Sequence, residues 1–221
     1  MQVIHLSPSW FFGYDVMLEL VFAFVSFLVA VYALKVFRIT QQRKTRLFGL
    51  SFIFISIAYM LEAIINYLIL IELKGGTVSV GDLVEIHSLN IVGVYTHLLF
   101  MIIGLVILAY MTFNTEDTKV LLVMLTTSIL VIFTGRNLFY DFYLLTVVYL
   151  FAIAWYYLSN YQRHKQRSTL AVALAFLLLF LGNVQFVFSI TNNLFYALGH
   201  IIELAAYLLI LLNFYLVRTT K

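Results

Sequence analysis

The stretch YDVMLELVFAFVSFLVAVYALKVFRITQQRKTR, Tyr14–Arg46, decides the fold. Its first part, Tyr14–Phe37, is apolar except for Asp15, Glu19, Ser26 and Lys35. About 20 such residues in a helix cross a ~30 Å hydrocarbon core. The residues that follow include Arg38, Arg43, Lys44 and Arg46 and no acid. An apolar span that stops at a basic, acid-free loop reads as a membrane helix whose loop stays in the cytoplasm.

Working outward, six more segments of the same kind appear: Leu47–Glu72, Asn90–Phe113, Val120–Gly135, Leu138–Asn160, Thr169–Ile190 and Leu194–Val217. The fourth is short, ~24 Å at ~1.5 Å per residue, and needs local thinning or snorkelling by Arg136. The chain is 64% hydrophobic and 10% charged. A soluble domain of about 25% charged residues is therefore excluded. The residues read as one domain: a first triad over 14–113, a linker helix at 120–135 and a second triad over 138–217. The first residues carry no basic stretch of the kind that opens a cleaved signal peptide. The expected fold class is an all-α integral membrane protein of seven transmembrane helices in the cell membrane.

Charge placement sets the orientation. With the N-terminus outside and the C-terminus inside, 11 of 13 Lys and Arg fall on the cytoplasmic side, leaving Lys74 and Arg136 outside. The basic loops at Arg38–Arg46 and at Arg163, Lys165 and Arg167 share one side only if four crossings separate them, so the fourth segment must cross. The net charge of +3 is thereby a topology signal rather than a nucleic-acid site. Trp10, Phe11, Phe12 and Tyr14 at one end, and Trp155, Tyr156, Tyr157 and Tyr161 at the other, suit headgroup depth. The stretch from Gly75 to Ser88 reads as an outer loop with a short interfacial helix, Glu85 and His87 being solvated.

The two triads read as a parallel repeat, with a pseudo-two-fold axis along the membrane normal. Tyr14-Asp15 corresponds to Tyr140-Asp141. Each leads to a helix that ends in a basic loop. Glu62 lies 16 residues after Arg46, and Asn183 lies 16 after Arg167. Asn90 precedes His97 by seven, and Asn193 precedes His200 by seven. In architecture the chain resembles the seven-helix PQ-loop and SWEET proteins and, more loosely, the rhodopsins. The resemblance implies a 3+1+3 bundle with a central cavity. It carries over no residues, since the only proline is Pro8 and the last segment has no lysine to form a retinal Schiff base.

Ionisable side chains at bilayer depth cost several kcal/mol and mark functional sites when they gather. Counted from the inner ends of their segments, Glu62, His97, Asn183, His200 and Glu203 lie ~21–25 Å up, in one layer of the outer half. His200 and Glu203 share a helix face, as do Glu62 and Asn66. His97 and His200 are expected to face each other across the axis, with Tyr59, Gln185 and Tyr207 extending the layer. Glu62 bonded to Asn183 is the purely structural alternative. Asp15, Arg136 and Asp141 form the expected rim.

Three functions fit this layer. The first is an outward-facing cavity for a small polar ligand, for sensing or transport, acting with another membrane subunit or signalling partner. The second is a haem held by His97 and His200, or a zinc held by His97, His200, Glu62 and Glu203, as in an intramembrane metallohydrolase. The third is a structural subunit with the layer fully paired. There is no cysteine, HExxH, P-loop, GxGxxG or GxSxG. Soluble enzyme chemistry and nucleic-acid binding therefore have no support.

Overall fold

The computed structural model describes residues 8, 10–11, 13–74, 80–113 and 115–219, with side chains of 72–87 and 214–219 outside the description. Among the described residues there are seven helices: α1 (Tyr14–Thr40), α2 (Arg43–Lys74), α3 (Val80–Thr112), α4 (Thr118–Thr134), α5 (Leu138–His164), α6 (Arg167–Ser189) and α7 (Leu194–Thr219). Six of them are long and apolar enough to cross a membrane. The exception is α4, with 17 residues. Phe24, Val123, Phe151 and Leu208 each point more than half of their surface outward. A helix that is apolar on its outer face as well as its inner one has lipid as its natural surroundings.

Consecutive helices pack side by side as two triads, α1–α2–α3 and α5–α6–α7. The triads meet where α3 touches α5 and where α1 touches α7, while α4 lies against α3 and α5. Small residues let the backbones approach. A Cβ on Gly104 of α3 would lie 2.9 Å from the Ser51 carbonyl of α2. The hydroxyl of Ser56 on α2 donates to the Ala23 carbonyl of α1 at 2.8 Å. On α4, Ser128 shares a 2.7 Å hydrogen bond with Tyr149 of α5.

The two hairpin turns are built alike. Helices α1 and α5 each run for 27 residues and end in a left-handed residue, Gln41 at φ 55° and Lys165 at φ 53°. Each of these donates its backbone N–H to a carbonyl four residues back, that of Phe37 or Tyr161. This satisfies an otherwise open helix end. The turns are 124 positions apart and carry related sequences, Gln42-Arg43-Lys44-Thr45 and Gln166-Arg167-Ser168-Thr169. The sequence reading had matched Arg46 with Arg167. The turn geometry pairs Arg43 with Arg167 instead.

Three local expectations are corrected. Helix α3 starts at Val80, so Glu85 and His87 lie on it rather than on a separate interfacial helix. Phe11 is not an exposed interfacial ring but is buried at 6% exposure. Arg43 is more than a topology signal: its guanidinium donates to the Tyr110 hydroxyl at 2.7 Å and to the carbonyls of Thr115 and Glu116, closing the end of α3.

Candidate functional site

Where the triads face each other, a cavity of about 60 Å3 is enclosed. That is room for a few waters or a small solute. Four residues of α2 line it, Phe52, Ile55, Tyr59 and Glu62. Four of α6 line it from the other side, Phe176, Leu179, Asn183 and Phe186. These sets are related position by position through the same interval of 124 that relates the turns. By that interval Glu62 falls at the position of Phe186, and Tyr59 at that of Asn183, whereas the spacing from the basic loops sets Glu62 with Asn183. The Tyr-Asp pairs are likewise out of step by two, since Asp15 and Asp141 are 126 apart.

The correspondence in position comes with a difference in chemistry. In the first triad, His97 Nδ1 lies 2.7 Å from Glu62 Oε2 and 3.4 Å from the Ala58 carbonyl oxygen. Both neighbours suit a proton on Nδ1. In the second triad, the residue beside His200 is Phe186, with ring centroids 5.0 Å apart. Tyr196 packs edge-on to the same imidazole at 4.6 Å, and Phe11 and Phe22 stack on it at 5.9 and 6.1 Å. His200 is 5% exposed, and neither ring nitrogen has a hydrogen-bond partner among the described residues. Its nearest charged neighbour, Glu203 Oε2, is 3.8 Å from Nδ1, beyond hydrogen-bonding range.

Glu203 itself is held from two helices. Asn183 Nδ2 donates to its Oε1 at 3.2 Å and to the Leu179 carbonyl at 3.0 Å. The Tyr59 hydroxyl approaches Oε2 at 3.4 Å. Gly182 makes this possible: a Cβ there would lie 3.2 Å from Glu203 Cγ. Asn183 therefore serves Glu203 on α7, not Glu62.

Of the residues expected from sequence, Glu62, His97, Asn183, His200 and Glu203 share the cavity wall, with Tyr59 and Tyr207. Asn66, Gln185, Asp15, Arg136 and Asp141 are not on it. Asn66 turns toward α1 and donates to Glu19 Oε1 at 2.9 Å, both side chains being buried. Asp15 is fully buried, and its Oδ1 accepts from the N–H groups of Gly13 and Val16 at 2.7 and 2.9 Å. It holds the start of α1 in place and is no entrance charge. Asp141 accepts from the Asn137 N–H at 3.3 Å, again at a helix start, and Arg136 is exposed. Phe11, Phe186 and Tyr196 pack around His200.

The metal alternatives do not fit. Among the described residues, no group of three or more His, Asp or Glu is disposed to hold a metal ion. The four residues of the zinc reading divide into two pairs, Glu62 with His97 and His200 with Glu203. A cavity of about 60 Å3 is also far too small for a porphyrin between the two histidines. Among the described residues the layer is not fully hydrogen-bonded, since neither His200 nitrogen has a hydrogen-bond partner.

Sequence reasoning missed Phe11, Phe186 and Tyr196. The one available signal was the interval of 124 fixed by the Gln-Arg-x-Thr turns, which sets Phe186 opposite Glu62. Comparison with known protein families, with curated proteins and with solved structures finds no match. The reading of function therefore stands on this geometry.

Proposed function

We propose that this is a seven-span protein of the cell membrane, N-terminus outside, that senses a small polar ligand bound in the cavity between its two triads. The single observation that carries the reading is His200. A buried imidazole without a hydrogen bond costs about 1–3 kcal/mol. That cost is retained where a ligand supplies the missing partner. Beside it stand a carboxylate, Glu203, and a wall of aromatic rings without Lys or Arg. Carboxylate and ring faces together favour a donor-bearing ligand such as a small amine.

The orientation rests on the basic turns, and α4 supplies the crossing that puts both turns on one side. The 3+1+3 repeat is supported by the constant interval through α1–α2 and α5–α6. A sensor is favoured over a transporter by the charges along the axis. The cavity contains Glu62 and Glu203 and no Lys or Arg, whereas the chamber at the basic end contains Lys44 and no acid among the described residues. A charged solute matched to one is repelled by the other. The spans contain no proline, so broken helices of the kind transporters use are not encoded. A signalling partner in the membrane would pass the bound state on.

The test is thermal unfolding of the purified protein with ammonium, methylammonium, acetate and urea. A ligand at 100 times its Kd stabilises by about 2.7 kcal/mol. The amines should raise Tm by several degrees, and Glu203→Gln and His200→Phe should each abolish the rise. No shift from any compound, or an undiminished shift in both variants, would end the proposal. A transport reading draws on the second chamber at the basic end of the bundle. Uptake of labelled methylammonium into proteoliposomes would favour it.

A further inference from the structure

At the basic end of the bundle lies a second, larger chamber of about 580 Å3. We propose that it is a binding site for an anionic phospholipid. The site is separate from the cavity above, and the inference does not depend on what that cavity binds.

The chamber is built on the same internal correspondence as the cavity. Tyr32 and Tyr156 line it from α1 and α5, and Thr45 and Thr169 line it from α2 and α6, each pair 124 positions apart. It is thus lined by residues of both triads. Lys44 and His164 line it where the hairpin turns are, and no Asp or Glu does among the described residues. The Lys44 ammonium sits 5.9 Å from the Tyr156 ring centroid, so the positive charge of the first hairpin leans onto the second. Arg163, Lys165 and Arg167 flank this end. The field at the mouth therefore selects an anion.

The walls say what kind of anion. From Tyr156 to His164 the chamber follows α5 for ~12 Å. Below the charged mouth, Val36, Phe48, Met111 and Val172 line it. A free phosphate or a nucleotide would leave these apolar walls in water. A phospholipid satisfies both parts, its phosphate reaching Lys44 and His164 while the first carbons of its acyl chains cover the apolar wall. Asn160 and Asn213 supply further polar groups within the chamber for the glycerol esters. The mouth also lies at the depth where anionic headgroups reside, so the ligand is present at high local concentration.

The experiment is native mass spectrometry of the purified full-length protein titrated with phosphatidylglycerol, with phosphatidylcholine and inorganic phosphate as parallel arms. The expected result is one saturable phosphatidylglycerol adduct that phosphatidylcholine does not form and that excess phosphate does not displace. Lys44→Gln and His164→Gln should each weaken it at least about 5-fold. Val172→Trp should weaken it strongly by obstructing the apolar wall without changing a charge. Lys119→Gln, a basic residue that does not line the chamber, should leave it intact. Displacement by phosphate would assign the site to a soluble anion and overturn the lipid proposal. Equal weakening by Lys119→Gln, or full binding by Val172→Trp, would show only general attraction to a basic surface and overturn it too. Thermal unfolding of each variant confirms that it is folded, and Val172→Trp and His164→Gln test the site independently of Lys44.

Discussion

Glu62 and His97 lie 2.7 Å apart, whereas Phe186 and His200, on the other pair of facing helices, meet ring to ring. One histidine is thus satisfied by the fold and the other is not. With side chains 11% and 27% exposed, the pair is partly screened. Glu62→Ala should cost about 1–3 kcal/mol, less than the 3–5 kcal/mol typical of breaking a fully buried pair. A double-mutant cycle with His97→Ala should return a coupling energy of about 1–2 kcal/mol. Additive losses would show that the contact contributes nothing.

The unpaired state of His200 predicts opposite effects of one substitution at two sites. His200→Phe removes an unsatisfied polar group from an aromatic pocket and should hold or raise Tm. His97→Phe removes the imidazole 2.7 Å from Glu62 and should lower it. Thermal unfolding of the two variants side by side checks this. A large loss in His200→Phe would mean that the imidazole has a structural partner, and the proposed ligand role would fall with it.

Packing between α2 and α3 leaves no room at Gly104. An added Cβ would lie 2.8 Å from Ile55 Cγ1 and 2.9 Å from the Ser51 carbonyl oxygen, and the backbone atom cannot rotate away. Gly104→Ala should therefore force the helices apart and cost about 1–3 kcal/mol. Because Met101 and Leu105 on either side line the cavity, the same change should weaken ligand-induced stabilisation. Unchanged stability would show that the two helices can separate freely here.

The absence of cysteine makes topology directly measurable, since single cysteines can be placed in the natural sequence. Exposed turn residues Gln41 and Gln166, as Gln41→Cys and Gln166→Cys, should be labelled by an impermeant maleimide only after the membrane is opened. Arg136→Cys and Asn192→Cys should be labelled in intact cells. Opposite accessibility of the two turns would mean that α4 does not cross.

How much of this was legible varies residue by residue. The helices fall within a few residues of the apolar runs, apart from α3, which starts ten residues earlier than read. The depth of the polar layer was legible too, because rise per residue is fixed in a helix. Five expected residues do share one cavity. Asn66 was misplaced because an i, i+4 pair shares a broad face but not a partner: Glu62 turns toward α3 and Asn66 toward α1. Asp15 was read as an entrance charge because sequence cannot show a carboxylate folded back onto its own helix start.

The sequence by itself determined that the chain spans a membrane and at what height each costly group lies, because both follow from counting along one helix. Only the tertiary structure decided which neighbour each group meets: Glu62 with His97, Asn183 with Glu203, and His200 with aromatic rings and, at 3.8 Å, Glu203. The physical reason is that these helices are apolar nearly all round, so composition leaves their rotation about the axis undefined. Side-chain interlocking and the left-handed turns at Gln41 and Lys165 set that rotation, and through it the register of the two triads.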